Sequence, residues 1–181
     1  MAGRRRRRRR PRLITVEEVR RAAERRRFHE LGRVLFADEP RWAAPVAAFE
    51  RGLFERGHPY RAGADVVRFL VRRLGTVVGR VCAHHVDGDA VGWFGTFECD
   101  DDPAAVAALV EVAGEWVAAR GARSLSGPAT FTLADEAGVL FSGFDHPGGT
   151  GRPWHPPWYA EHLQAAGLSR AHRSWPRWRL P

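Results

Sequence analysis

Three short stretches of this chain hold most of the groups able to do chemistry. Glu98-Cys99-Asp100-Asp101-Asp102-Pro103 packs four carboxylates into six positions, and Asp135-Glu136 adds an adjacent pair. Trp154, His155, Trp158 and Tyr159 surround Pro156-Pro157. Carboxyl, imidazole and phenol groups move protons when their surroundings bring the pKa near the working pH. Each stretch also has a structural reading. An Asp ahead of Pro103 is well placed to cap a helix that opens on proline. Asp135 and Glu136 either cap a short helix starting near Ala134 or line a cleft that binds a cationic substrate. Trp154, Trp158, Trp175 and Trp178 either fill a core or dimer contact, or line an acyl or aromatic pocket. The eight histidines show no HxxxH or HExxH spacing, and Cys82 and Cys99 form no CxxC pair, so no metal is expected. GxSxG, Walker and dinucleotide signatures are absent from the sequence.

The charge is unevenly spread. Of 29 basic residues, all arginine, eight lie at positions 4–10 and 12, where there is no acid. The other 21 balance 21 acidic residues, so the net charge of +8 belongs to this tail. A seven-arginine run repels itself, and residues 1–12 are expected to be disordered and open to nonspecific contact with nucleic acid or acidic head groups. Residues 13–181 are long enough for one domain with its own core. No apolar stretch is long enough to span a bilayer, and no apolar segment follows the basic start as in a secretory signal. Two cysteines without a disulfide pattern suit a reducing compartment, so the expected location is cytoplasmic.

These groups need elements to position them. The spacing predicts a helix over Thr15–Phe36, capped by Thr15, and a second short one over Pro45–Phe54. Asp65–Leu74, Thr76–Val86 and Ala90–Glu98 read as strands, with turns at Gly75 and Asp87-Gly88-Asp89. Connections this tight make an antiparallel meander. His84 and His85 must then face opposite sides of the sheet and cannot share one metal. A helix opens at Pro103 and ends at Gly121. Ser124–Phe131 reads as a strand, parallel to one in the meander because a helix intervenes. A short helix over Ala134–Phe141, a loop from Gly143 to Pro153, a helix over Pro157–Ala166 and a final strand over Ser169–Leu180 follow.

That order, an α/β fold with a mixed sheet in which an antiparallel meander is followed by helix–strand–helix–strand, resembles the GNAT acyltransferase superfamily. Three strings carry the resemblance: GWFGTFECDDDP from Gly92, SGPATFTLADEAGVLFSGFDHP from Ser126 and RPWHPPWYAEHLQAAGL from Arg152. They are similar to the amino-terminal half of long bacterial GNAT-like proteins, which carry FFxFFECEDDP, GPxNxSxNDExGLLVxGFDxPP and PYNPPYYxxLLExxGF. Where those proteins have Asn-Asp-Glu, this chain has Ala134-Asp135-Glu136. His155 stands for an asparagine, and Trp154 and Trp158 for tyrosines. A second half of the long proteins holds an RGxG-type pyrophosphate loop, and the present chain stops before that half would begin.

The resemblance implies an N-acyltransferase using acetyl-CoA or another acyl-CoA, with a small-molecule amine as acceptor. Tyr159 is then the candidate acid for the leaving thiolate and Glu98 the candidate base for the amine. Asp135, Glu136, Trp154 and His155 are candidates for substrate binding. A GNAT enzyme cradles the CoA pyrophosphate on backbone N–H groups of a glycine-rich loop and a helix N-terminus. Here that position is Glu98–Pro103, without glycine and rich in acid. One like-charge pair at about 4 Å costs on the order of 4 kcal/mol at an effective dielectric near 20. The other reading is therefore a non-catalytic GNAT-like binding or assembly module, with a protein partner or as a homodimer. An open cleft between the strand ending near Glu98 and the strand near Leu125 would favour the enzyme. A cleft plugged by a tryptophan or by the loop around Phe144 would favour the module.

Overall fold

The computed structural model describes residues 13–131, 136–149 and 152–170. Its elements, in chain order, are β1 (Ile14–Glu18), α1 (Ala22–Leu35), α2 (Ala47–Leu53), a 3-10 turn (Pro59–Ala62), β2 (Ala64–Arg73), β3 (Thr76–Val86), β4 (Val91–Cys99), α3 (Pro103–Ala118), β5 (Ser124–Ser126) and α4 (Trp158–Ala165). The sheet order is β1-β2-β3-β4-β5, antiparallel from β1 to β4 and parallel between β4 and β5. The expected meander and the expected parallel strand are both present.

Alternation along the strands divides the core between two faces. Val67, Phe69 and Val71 of β2 and Val81 and Ala83 of β3 pack with Val106, Leu109, Ala113 and Val117 of α3 and with Tyr159 and Leu163 of α4. Leu70 and Cys82 point the other way and join Phe28, Leu31, Leu53, Phe54 and Phe131. The sheet is thus a middle layer, with α3 and α4 on one side and α1 and α2 on the other.

The amino-terminal helix is shorter than its spacing predicts. Residues 14–18 form the edge strand β1, in which Val16 pairs with Val71, and helix begins only at Ala22. Ile14 and Val16 fit the two-residue period of a strand as well as a helical stripe, and the open edge of β2 decides between them. Thr15 caps nothing; Glu24 Oε2 accepts from the backbone N–H groups of Arg20 and Arg21, both at 2.8 Å. The strand expected over Ser124–Phe131 stops at Ser126, because Gly127 has φ +149° and Pro128 has no N–H to donate. Residues 136–141 of the expected Ala134–Phe141 helix are not helical, and Ala137 bridges Ala129 instead. The arginine tail and most of the expected final strand lie outside the described residues.

Gly92 sets the spacing between β4 and α3. A Cβ at this position would lie 2.3 Å from Val117 Cβ. Val117 is buried and cannot retreat. Gly92→Ala is expected to lower stability by about 1–3 kcal/mol, the usual cost of overpacking, as an earlier urea midpoint with an unchanged slope.

Candidate functional site

The site is organised by where β4 and β5 part. Val91, Gly92 and Trp93 pair with Ser124, Leu125 and Ser126, and beyond that the strands diverge. β4 then carries an extra residue relative to β3, since Cys82 faces Gly95 while Arg80 faces Glu98, and Thr96 within this bulge has φ +45°. The bulge points backbone groups of β4 into the gap. Residues 129–130 take them: Ala129 N–H donates to Phe94 O at 2.7 Å, and Thr96 N–H donates to Thr130 Oγ1 at 2.8 Å. Contact is so close that a Cβ on Gly95 would sit 2.3 Å from Ala129 O. The gap is therefore filled, by the Ala129-Thr130 backbone rather than by a tryptophan or the Phe144 loop.

The other end of β4 leads into α3. Asp102 caps this helix, its Oδ1 accepting from Ala104 and Ala105 N–H at 3.1 Å each. Arg73 grips the same carboxylate with two N–H groups and holds it below the usual carboxylate range. The expected cap is present, and the helix N-terminus already has its anion. His162 Nε2 lies 2.7 Å from Asp101 Oδ1 and closes the loop against α4.

Tyr159, in the first turn of α4, is fully buried. Its hydroxyl accepts from Cys99 N–H at 2.8 Å and donates to Cys99 O at 3.2 Å. Burial, with Glu98 nearby, pushes its pKa well up. A phenol with both functions spent on backbone holds α4 against the end of β4 and has no hydrogen-bonding capacity to spare.

Glu98 is buried on the opposite face, against α1. Arg80 Nε lies 2.8 Å from Glu98 Oε2, while Arg80 NH1 lies 2.6 Å from Glu50 Oε1 and donates to Phe28 O at 2.6 Å. One guanidinium thus serves two carboxylates, and both cannot be fully compensated. Burial raises the Glu98 carboxyl above its ordinary range, an effect Arg80 only partly offsets and Glu136 reinforces. Burial also penalises Glu50, but its bonds with His29 and Arg80 outweigh this and hold it low. Glu98 has no room to relax, since a Cβ on Gly32 of α1 would lie 2.4 Å from each of its oxygens.

The remaining sequence candidates fall near this cluster. Glu136 accepts from Thr130 Oγ1 at 3.2 Å and lies 3.8 Å from His155 Nε2. His155 Nδ1 accepts from Leu140 N–H at 3.3 Å, which leaves the proton on Nε2, towards Glu136. Trp154 is buried, donates through Nε1 to Phe144 O at 2.9 Å and carries the Arg41 guanidinium 4.9 Å above its ring. Asp135 lies outside the described residues. Glu136 and His155 are thus neighbours, with the Tyr159 ring 5.6 Å from that of His155, whereas Trp154 packs against Arg41 and Phe36.

Sequence reasoning missed Arg80, Glu50, Thr96 and Thr130. A lone arginine inside the apolar run VVGRVCA was the available signal for the first. His84 and His85 do face opposite ways. His84 Nε2–H donates to Ala129 O at 2.9 Å, so its Nδ1 accepts from Tyr60 O–H at 2.7 Å, while His85 bonds to Asp89 O. No group of three metal-ligating side chains occurs among the described residues.

Solved structures share this fold across almost the whole chain. An aminoglycoside acetyltransferase from a soil metagenome, in complex with sisomicin, superposes with TM-score 0.56 at 8% identity, covering 93% of this chain and 97% of the other. The acetyltransferase AAC(6')-Iy, in complex with a CoA-containing bisubstrate analogue, superposes with TM-score 0.54 at 13% identity, covering 92% and 99%. The chain has the GNAT acetyltransferase fold. In sequence, it is 32% identical over 145 residues to protein YghO of Escherichia coli, covering 75% of this chain and 36% of that protein. It is 34% identical over 143 residues to the bacterial ceramide synthase of Caulobacter vibrioides, covering 74% and 37%. The GNAT-like chain therefore spans about a third of the length of these curated relatives, and it is homologous to part of each. No family model matches it.

Against the GNAT expectation for CoA, the residues present do not fit the pyrophosphate. The helix N-terminus is occupied by Asp102, and the backbone groups of the β4 bulge are bonded to residues 129 and 130.

Two outcomes follow. Tyr159→Phe leaves Cys99 N–H and C=O without their hydroxyl partner, and is expected to cost about 1–3 kcal/mol in urea unfolding. Burial lowers the His84 pKa, with the bond to Ala129 O opposing weakly. The unfolded chain then takes up the proton first, so stability is whole above the unfolded pKa of about 6.5 and is lost as pH falls towards the lower folded value. Thermal midpoints from pH 7.5 to 5 should fall more steeply in the parent protein than in His84→Gln.

Proposed function

We propose that this chain is the non-catalytic GNAT-like unit of an N-acyltransferase, a binding and assembly module that works with a second, CoA-binding unit in the same or another chain. The observation that carries the reading is the capped amino terminus of α3, where Asp102, held by Arg73, already accepts from the Ala104 and Ala105 N–H groups. The filled gap beside the β4 bulge supports it independently, because an incoming thioester would have to displace Ala129 and Thr130. The relative named bacterial ceramide synthase suggests the reaction class, since a ceramide is an N-acylated amine. On this reading the acyl group passes from acyl-CoA to an amine on the partner unit. Tyr159 and Glu98, as surrounded here, serve the fold, while Glu136, beside His155 and about a quarter exposed, offers a carboxylate for a cationic amine at the rim.

Calorimetry of the full chain with acetyl-CoA and with palmitoyl-CoA should show no saturable heat up to about 1 mM, the upper end of ordinary substrate affinities. Saturable binding of either thioester would overturn the reading. Mixing the chain with a unit bearing a glycine-rich pyrophosphate loop should restore binding and allow amide formation from a long-chain amine.

A further inference from the structure

A second site lies on the α1–α2 side of the sheet, away from β4. A groove of about 430 Å³ runs between these helices and β2, with four arginines and two glutamates in its walls. Arg68, on β2, is its floor. The guanidinium stacks 4.8 Å above Phe54 and 5.7 Å from Phe28, and no carboxylate among the described residues pairs with it. Its one polar contact among the described residues is from NH1 to His29 Nε2 at 3.3 Å. The other ring nitrogen, His29 Nδ1, lies 3.0 Å from Glu50 Oε1, so this imidazole is already turned towards a carboxylate. Burial, with Arg25 and Arg61 nearby, lowers the Arg68 pKa to about 10. The cation remains charged at neutral pH, with no carboxylate partner among the described residues.

The carboxylates in the walls do not supply one. Glu30 is engaged by Arg26 at 2.9 Å, and Glu55 is exposed at the rim. Four arginines against two glutamates leave the walls with two unbalanced positive charges. A phosphomonoester near pH 7 carries about −1.5 to −2 and offers three acceptor oxygens, which suits several guanidinium forks around a small concavity. A carboxylate would neutralise only half of the excess. The aromatic floor at Phe54 accommodates an apolar group attached to the phosphate. On the outer side of α2, Phe49 is 59% exposed and Val46 71% exposed.

We infer that this groove is a binding site for a phosphomonoester group, held by Arg68 with Arg25 and Arg51 and borne either on a free small molecule or on a lipid headgroup. The inference does not rest on the acyltransferase reading, since no part of the groove involves α3 or the β4 bulge.

The test uses the full chain and two probes, inorganic phosphate and phosphatidylcholine vesicles with or without phosphatidic acid. Inorganic phosphate is followed by NMR at the Arg68 Nε–H and the amides of β2, with chloride at matched ionic strength as control. A saturable shift confined to the groove is expected, weakened about ten-fold or more in Arg68→Gln, a loss of one strong charge-assisted contact. Arg51→Gln, at an exposed position on α2, serves where the first variant does not fold, and should weaken binding several-fold. The arginine run at 4–10 will bind anionic vesicles by itself, so that arm reads the difference between parent and variants. Saturation by inorganic phosphate supports a free ligand; discrimination only on phosphatidic acid vesicles supports a lipid-borne one. If neither probe shifts Arg68, or if both variants bind both probes like the parent, the inference is wrong.

Discussion

The parting of β4 and β5 after three residue pairs is the constraint on which this molecule turns. Two diverging strands leave backbone donors and acceptors facing a gap, and buried backbone groups must find partners. In a GNAT enzyme such a gap is where a thioester lies. Here the chain fills it from within. Gly127 and Pro128 end β5, Ala129 reaches Phe94 O, and Thr130 supplies a hydroxyl to the Thr96 N–H. Glycine at 95 is what permits the approach, because any side chain would meet the Ala129 carbonyl. The same fold that elsewhere holds a substrate is therefore stabilised here by its own backbone.

Charge burial follows a similar logic on the other face. Arg80 joins α1, α2 and β4 through Phe28 O, Glu50 and Glu98. A buried ion triad of this kind contributes little net stability compared with an apolar filling, yet breaking it leaves an uncompensated charge. It ties α1 and α2 to the sheet through one guanidinium. Glu50 and His29 extend the network to Arg68 at the floor of the basic groove. The Arg80 triad lies inside, and Arg68, without a carboxylate partner among the described residues, lies at the groove floor.

Several features were legible because they depend on local chemistry. Asp102-Pro103 announces a capped helix, and β2, β3 and β4 are bounded by tight turns at Gly75 and Gly88, so the antiparallel meander follows. The opposite orientation of His84 and His85 follows from the pleat. Less legible were places where two local readings compete. Ile14 and Val16 satisfy a helical stripe and a strand equally, and only the unpaired edge of β2 selects the strand. Ser124–Phe131 reads as one strand only if Gly127-Pro128 is passed over, and that dipeptide is the local signal that β5 ends at Ser126.

The Asp102 cap, the turns at Gly75 and Gly88 and the three strands they bound act over a few residues and were fixed by the sequence itself. So was the acid-rich, glycine-free stretch from Glu98 to Pro103 that argues against a phosphate cradle. What the tertiary structure alone decided is the use of each polar group. Tyr159, a candidate acid by its type, has its hydroxyl between the N–H and C=O of Cys99. Glu98, a candidate base by its type, is enclosed by Arg80 and Gly32. Arg68 looks like one more arginine until the neighbouring carboxylates are seen to be engaged or out at the rim. The physical reason is the same in each case: a side chain's chemistry depends on its partners and its solvent, and residues distant in sequence supply both.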